Sequence, residues 1–167
     1  MMLEGYCVID GKEQKSRAAF NDIIIHRGTN PSVKTLIIRV NGEYLNTYVG
    51  DGIIVATPSG PTAYNMSAGG PIVDPKAKLL LVTPINSHSL NAKSIVLSAD
   101  DEIEIEISAR NHETDDSAEV SFDGDYPIKL GFGDKIVIKK AEQATNILKL
   151  SKLSFLEILS KKMQTCI

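Results

Sequence analysis

The segment covering residues 51–70 combines residue types that could hold a ligand. It starts with the acid Asp51, continues with a short apolar, β-branched run at residues 53–55, and then turns through small hydroxylated residues. The apolar run is typical of a strand that is buried on both faces. Pro61 suits the first position of a helix, and a glycine pair follows residue 68, so we expect a helix of about two turns over residues 61–68.

The first turn of that helix would supply free backbone donors. The amides of Thr62 and Ala63 have no acceptor within the helix, and the helix dipole adds partial positive charge beside them. Such a helix start suits an anion or the edge of a nucleobase. Tyr64 adds an amphipathic ring, and Ser67, one helical turn beyond Ala63, faces the same side. A capped helix with purely structural glycines has the same pattern, so spacing by itself leaves both interpretations open.

The residue order of this segment resembles the signature of the NAD kinase family. That signature has Asp-Gly, three apolar residues, Ser/Ala-Thr-Pro-Thr-Gly-Ser-Thr-Ala-Tyr, and then a helix that ends in Ser-Ala-Gly-Gly-Pro. This chain departs from it mainly at Ser59, where the family has Thr, and at Pro61, where the family has Ser. Both changes are mild, because a hydroxyl is kept in the first and the second lies at a helix start.

Other segments match the family in the same order along the chain. Residues 83–90 and 94–97 are similar to Thr-Pro-Ile-Cys-Pro-His-Ser-Leu followed by a Pro-Ile-Val-Leu strand. Residues 18–25 resemble the Ala-Leu-Asn-Asp/Glu start of a family strand, and residues 120–124 resemble its Val-x-Val/Phe-Asp-Gly hairpin. The resemblance implies that residues 1–167 are the all-β, NAD-binding C-terminal domain. The family's Gly-Gly-Asp-Gly motif belongs to an N-terminal α/β domain and does not occur in this sequence.

The resemblance also assigns roles to particular residues, each of which has a plain structural alternative. An Asx pair at a strand start commonly caps the backbone, and an acid before glycine commonly starts a turn. The family pattern instead places these residues around NAD, with the acid of the 120–124 hairpin near the phosphates and any metal. The implied ligands are Asn21 and Asp22 for the adenine and the adenosine ribose, Asp51 for the nicotinamide end, Thr62, Ala63, Tyr64 and Ser67 for the adenine pocket, and Asp123 for the phosphate vicinity.

The implied reaction transfers the γ-phosphoryl group of ATP, or a phosphoryl group of polyphosphate, to the 2′-hydroxyl of the adenosine ribose of NAD, which gives NADP. Such chemistry needs in-line positioning and a divalent cation such as Mg²⁺ or Mn²⁺. In the family the acid equivalent to Asp51 often serves a neighbouring subunit, which implies a homodimer or homotetramer. The catalytic residues belong to the N-terminal domain, so we expect this chain by itself to be nearly inactive.

Two other functions remain open from the sequence. Bacterial diacylglycerol-type lipid kinases share the two-domain plan and also have a β-rich second domain. A non-catalytic module that binds a dinucleotide or mediates oligomerisation would explain the same helix start. An exposed apolar groove and a response to lipid would favour the first, whereas lack of activity after addition of an N-terminal α/β domain would favour the second.

Composition is consistent with one compact domain. The chain has 167 residues, 43% of them hydrophobic, which is enough for an independent core. A net charge of −3, with dispersed Lys and Arg residues, gives no basic surface for nucleic acid. No apolar run approaches the roughly 18 residues of a membrane helix, and no signal pattern starts the chain, so we expect a cytoplasmic protein. Cys7 and Cys166 lack metal-site spacing, and we expect both to be reduced.

The dominant hydrophobic period of two predicts a mainly β, sandwich-like fold. The clearest hairpin joins residues 36–40 to residues 43–48 through Asn41-Gly42, a pair that favours a type I′ turn. A second hairpin is expected around Asp123-Gly124. Apart from residues 61–68, only residues 154–163 have a helical pattern, with Ser154 as the cap. Further strands are expected at residues 6–9, 22–27, 53–55, 79–82, 94–97, 103–107, 119–122, 126–130 and 136–139.

Overall fold

A computed structural model describes residues 1–29, 32–59, 64–88, 92–108, 117–148, 150 and 153–164. These residues form two antiparallel sheets and two helices, which confirms the mainly β, sandwich-like prediction. The first sheet contains β1 (Leu3–Ile9), β2 (Lys12–Glu13), β3 (Arg17–Ala19), β5 (Lys34–Val40), β6 (Glu43–Gly50), β10 (Ile103–Ser108) and β13 (Lys135–Lys140). The second contains β4 (Asp22–His26), β7 (Gly52–Ala56), β8 (Leu79–Ile85), β9 (Ile95–Ser98), β11 (Ala118–Phe122) and β12 (Ile128–Leu130).

The first sheet has the order β2-β1-β13-β10-β5-β6, with β3 also paired to β1. Buried and partly exposed positions alternate along β1, β5 and β10. In β10 the isoleucines are fully buried, whereas Glu104 and Glu106 are partly exposed on the other face. One face of β10 therefore meets solvent while the other packs into the core.

The second sheet has the order β12-β11-β4-β7-β8-β9, which places β7 near its centre. All five residues of β7 are buried, as predicted for a strand covered on both faces. The reason lies in the two apolar layers that this sheet contacts. The inner layer fills the space between the two sheets, with Ile23, Ile53 and Leu80 from the second sheet meeting Leu36 and Ile105 from the first.

The outer layer is a smaller apolar cluster on the far side of the second sheet. It consists of Ile54, Ala56, Leu81 and Ile85, packed against Ile24, Leu79, Ala68 and Val73. Ala68 directly follows the short helix α1 (Tyr64–Ser67), so this helix and the chain after it cover part of the outward face. The predicted beginning of the helix, at residues 61–63, lies outside the described residues.

Both predicted glycine-containing turns are present. Asn41 has φ of 51° and Gly42 has φ of 81°, the two positive values that a type I′ turn requires. Asp123 and Gly124 have φ of 51° and 77° and follow the same rule. In each pair an Asx residue and a glycine adopt the left-handed conformation at low cost.

The second helix, α2, covers Phe155–Gln164 and begins one residue after the predicted cap. The Ser154 hydroxyl accepts the Glu157 amide at 3.1 Å, and the Glu157 carboxylate accepts the Ser154 amide at 2.5 Å, which forms a capping box. The strands β2 and β3 have no counterpart in the prediction, because they are only two and three residues long and too short to show a period. None of the helices in the described part of the chain has the length and apolar character of a membrane span.

Candidate functional site

A cavity of about 350 Å³ opens on the outward face of the second sheet. Two of the residues that the sequence indicated as NAD ligands, Asp51 and Tyr64, line it together, although one precedes β7 and the other belongs to α1. The remaining lining residues come from β4, β8, β11 and the turns beside them: Ile24, His26, Arg27, Gly28, Ile85, Asn86 and Ser121.

Strand β4 runs from this cavity to Asn21 and Asp22, the residues predicted to bind the adenine and the adenosine ribose. Side chains alternate along a strand, so Asp22 and His26 share the outward face with Ile24, while Ile23 and Ile25 point into the core between the sheets. The four-residue separation of Asp22 and His26 corresponds to about 13 Å along the strand. The outward face of β4 therefore has an acid at one end and the cavity at the other.

Asp51 is fixed at the cavity by its backbone and by its side chain. Its carbonyl accepts the Arg27 amide at 3.0 Å, and its own amide donates to the Ile85 carbonyl at 3.0 Å. Its Oδ1 lies 3.1 Å from Nε of Arg27, and its Oδ2 accepts a hydrogen bond from Nδ2 of Asn86 at 2.9 Å. Because a carboxylate can accept about four hydrogen bonds, Asp51 retains acceptor capacity toward the cavity.

Gly52, the second residue of the Asp-Gly pair, is required by packing rather than by a turn. A Cβ atom at this position would lie 2.1 Å from the Ile25 carbonyl oxygen and 2.9 Å from the His26 Cα. Strands β4 and β7 can keep their register, with His26 opposite Gly52, only if residue 52 has no side chain. The missing side chain lets the backbones of β4 and β7 approach each other closely at this point.

At the other end of β4, Asn21 and Asp22 lie beside Asp123, which belongs to the β11–β12 turn. Asp22 is 5% exposed, and burial together with the negative charge of Asp123 raises the pKa of its carboxyl from 3.8 to about 6. Asn21 is partly exposed, and its carbonyl accepts the Thr57 amide at 2.9 Å. The Thr57 hydroxyl donates to the Phe20 carbonyl at 2.9 Å, so the loop after β7 is bound to the start of β4.

Asp123 binds protein backbone in this structure. Its carboxylate accepts hydrogen bonds from the amides of Phe20, Asn21 and Asp22, at 2.6, 2.7 and 3.1 Å. These bonds attach the β11–β12 turn to the start of β4, next to the Asp22 side chain. A role for Asp123 close to phosphates or a metal stays a prediction, and the three bonds give the residue a structural role in addition.

Helix α1 has one face toward the sheet and one toward solvent. Asn65 is fully buried, whereas Tyr64 is 45% exposed and Ser67 is also exposed. Tyr64 and Ser67 are three residues apart and so share the outward side of the helix, whereas the predicted shared side of Ala63 and Ser67 stays a prediction. Thr62 and Ala63, the residues expected to offer free amides, lie outside the described residues.

The sequence analysis missed several residues of the cavity. Asn86 and Ser121 lie in segments that match the family, at positions to which the resemblance assigned no role, whereas His26 and Arg27 lie just outside the matched segment 18–25. A signal for His26 was nevertheless present: it is four residues after Asp22 in a strand, and the period of two places both on one face.

The described part of the chain has a second cavity and lacks a cluster of metal-binding side chains. Another cavity, of about 400 Å³ and lined by Glu4, Arg17 and Glu142 among others, is slightly larger but contains none of the predicted ligands. Within the part of the chain that the structure describes, no group of three His, Cys, Asp or Glu residues could hold a metal ion. A resident metal site is therefore not formed by these residues.

The sequence matches the family model of the ATP-NAD kinase C-terminal domain over residues 20–150. It is 58% identical over 150 residues to the NAD kinase of Agathobacter rectalis, an alignment that covers 90% of this chain and 53% of that protein. It is 46% identical over 173 residues to the NAD kinase of Lachnospira eligens, which covers 98% of this chain and 59% of that protein. The chain thus spans little more than half the length of these relatives.

Solved structures give the same result. The fold is similar to that of yeast NADH kinase complexed with NADH, with a TM-score of 0.75 and 36% identity over 83% of this chain and 39% of that one. It is also similar to an NAD kinase from Archaeoglobus fulgidus in complex with ATP, with a TM-score of 0.66 and 28% identity over 84% of this chain and 51% of that one.

The fold is a two-sheet β domain that is similar to part of the solved NADH kinase and NAD kinase. The chain belongs to the ATP-NAD kinase C-terminal domain family, which confirms the family predicted from its motifs. The comparisons lend no support to the lipid kinase or to the non-catalytic module.

Proposed function

We propose that this chain is the NAD-binding domain of an NAD kinase, which phosphorylates the 2′-hydroxyl of the adenosine ribose of NAD with ATP or polyphosphate as the donor. One observation carries the proposal: in a chain of this family, the cavity on the second sheet collects Asp51 and Tyr64, two residues that the family pattern assigns to the dinucleotide. The NADH in the complex with the yeast enzyme and the ATP in the complex with the Archaeoglobus enzyme are consistent with both substrates.

The dinucleotide would lie along the outward face of β4. Asp51 would bind the nicotinamide end in the cavity. Tyr64, which lines the same cavity, would pack against the adenine ring from the helix side. Asp22 would accept hydrogen bonds from the ribose hydroxyls, which needs its ionised form, and Asn21 would contact the adenine. Thr62, Ala63 and Ser67 would complete the adenine pocket at the start of the helix. Asp123 would affect the phosphate region indirectly, because it fixes the backbone of residues 20–22 through their amides.

The domain would supply substrate positioning rather than the chemical step. We place the catalytic residues on an N-terminal α/β domain with a Gly-Gly-Asp-Gly motif, so that residues 1–167 form one domain of a longer enzyme. The divalent cation would be bound mainly by the phosphates of ATP and by that second domain, since the described residues here do not form a metal cage. We further propose a cytoplasmic enzyme that works as a homodimer or homotetramer.

Calorimetric titration of NAD into the chain tests the binding site. We expect Asp51→Asn and Tyr64→Ala each to weaken NAD binding about tenfold, because each removes one direct contact to the ligand. Tyr44→Ala is the matched control, since Tyr44 is an exposed tyrosine of the first sheet whose hydroxyl contacts Thr47. Equal affinities in all four proteins would refute the proposed site.

A coupled assay of NADP formation tests the division of labour. The chain alone should give almost no turnover, whereas fusion to the N-terminal half of the Agathobacter rectalis relative should restore it. Rapid NADP formation by the chain alone, or an inactive but folded fusion that still binds NAD, would contradict the proposal.

A further inference from the structure

His26 lines the cavity but belongs to none of the motifs that identify the family. We infer that His26 is a specificity-determining residue, which donates a hydrogen bond from Nε2 to the oxygen of a primary carboxamide, the group at the nicotinamide end of NAD. The inference rests on the proposed function, because it names the part of the dinucleotide that the cavity selects.

The orientation of the imidazole is set by the turn that follows β4. The Gly28 amide donates to Nδ1 of His26 at 3.0 Å, so the proton of the neutral ring must be on Nε2. Gly28 has φ of 59°, and a Cβ at this position would lie 2.6 Å from the Glu119 carboxylate. The positive φ therefore favours glycine in the turn that directs this amide at the ring.

The Nε2 edge of the ring has room for a ligand. His26 is partly exposed and is one of the residues that line the cavity, so its ring is accessible from the cavity. Among the described residues, no acceptor is bonded to Nε2. A donor in a partly enclosed cavity gains from an acceptor oxygen, because water is the only other partner that could satisfy it.

The charges around the ring favour a neutral oxygen over a phosphate. Glu119 is opposite His26 in β11, and Asp51 lines the same cavity. The guanidinium of Arg27 is paired with Asp51 and offsets part of that charge. An anionic ligand would meet the carboxylate of Asp51 in this cavity, with Glu119 on the neighbouring strand, and would be repelled more than a neutral carbonyl oxygen.

The pair formed by His26 and Asp51 is complementary to a primary carboxamide. The carboxamide has one acceptor oxygen and one NH₂ donor, and the cavity offers one donor at His26 and remaining acceptor capacity at Asp51. A carboxylate in the place of the carboxamide would have no hydrogen to donate and would add a negative charge. The cavity should therefore discriminate between NAD and its nicotinic acid analogue.

The test compares two ligands that differ only at this end of the molecule. Calorimetry on the chain measures NAD and ADP-ribose, which lacks the nicotinamide ring, against His26→Ala, His26→Gln and wild type. We expect His26→Ala to bind NAD about tenfold more weakly and ADP-ribose within about twofold of wild type. His26→Gln, whose amide nitrogen can reach the position of Nε2, should recover most of the affinity for NAD. His88→Ala is the control, because His88 is an exposed histidine whose side chain is not among the cavity residues.

The outcomes separate this inference from the proposed function. If wild type binds NAD and His26→Ala binds it equally well, the role of His26 is refuted while the NAD-binding domain stands. If His26→Ala loses NAD and ADP-ribose to the same extent, the residue is structural and the inference is also refuted. If wild type binds neither ligand, both proposals fail. Wild-type preference for NAD over the nicotinic acid analogue by about tenfold or more, reduced in His26→Ala, would support the carboxamide assignment.

Discussion

The outward faces of the two sheets have opposite chemistry. On the first sheet, Arg39 contacts Glu104 at 3.2 Å and Glu106 at 2.7 Å, and Lys135 contacts Glu104 at 2.6 Å. These side chains are partly exposed, and each charge has an opposite charge beside it on a neighbouring strand. On the second sheet, the outward face carries the second apolar cluster, the buried acid Asp22 and the cavity.

The difference shows where a binding site can form on a sandwich. On the first sheet, Arg39, Glu104, Glu106 and Lys135 pair with one another across neighbouring strands. The second sheet buries an acid at a cost, which is visible in the raised pKa of Asp22, and has an open cavity in the same row of side chains. Four substitutions test this contrast, from the largest expected effect to the smallest.

Gly52→Ala should be the most damaging change. The new Cβ would lie 2.1 Å from the Ile25 carbonyl oxygen, which is backbone and cannot move without breaking the pairing of β4 and β7. We expect the free energy of unfolding to fall by about 3 kcal/mol in urea denaturation. Gly131→Ala is the control, since its Cβ would be 3.5 Å from Asp134 Oδ2, an ordinary contact. Similar losses in the two variants would refute the close-approach argument.

Asp123→Asn should destabilise the chain by about 2 kcal/mol, because the charged acceptor of three backbone amides is replaced by a neutral amide with one oxygen. Asparagine also tolerates the positive φ of this position, so the change isolates the lost bonds. Thermal unfolding followed by circular dichroism measures the effect. Asp125→Asn, at an exposed acid two residues away that pairs with Arg17, should cost less than about 1 kcal/mol. An unchanged melting temperature in Asp123→Asn would argue for a role in ligand binding alone.

Asp22→Asn should stabilise the chain at neutral pH, in contrast to the two preceding substitutions. The folded-state pKa of about 6 lies above the unfolded value of 3.8, so the folded state binds the proton more tightly. The stabilisation by that proton is fully present below pH 3.8 and is lost as the pH rises through 6. Between pH 5 and pH 8, wild type should therefore lose about 1 kcal/mol relative to Asp22→Asn, as measured by urea unfolding at both pH values. A constant difference across this range would show that Asp22 is not buried as described.

Arg39→Met should have the smallest effect. The lost contacts are partly exposed ion pairs, and Lys135 remains next to Glu104, so the cost should be below about 1 kcal/mol. NAD affinity, measured by calorimetry, should equal that of wild type because Arg39 is on the first sheet. A clear loss of NAD binding in this variant would mean that the two outward faces are not functionally separate.

Much of the fold could be predicted because its signals are local. Alternation in β10, the Asn41-Gly42 turn and the capping box of α2 each depend on residues within a few positions of one another. The paired strand order could not be predicted in this way, because β1 pairs with β13 and β10 pairs with β5 across long stretches of chain. The strands β2 and β3 were missed for a different reason: with two and three residues they are too short to show a period, and only their pairing with β1 defines them.

The sequence by itself determined the family and the β-rich class, and it indicated Asp51 and Tyr64 as candidate ligands of NAD. It could do so because motif order and hydrophobic period are properties of the chain alone. Only the tertiary structure decided that these two residues share one cavity with His26 and Asn86, and that Asp123 binds the backbone at residues 20–22. The physical reason is that strand pairing brings residues far apart in sequence side by side, and burial then changes the chemistry of a group such as the Asp22 carboxyl.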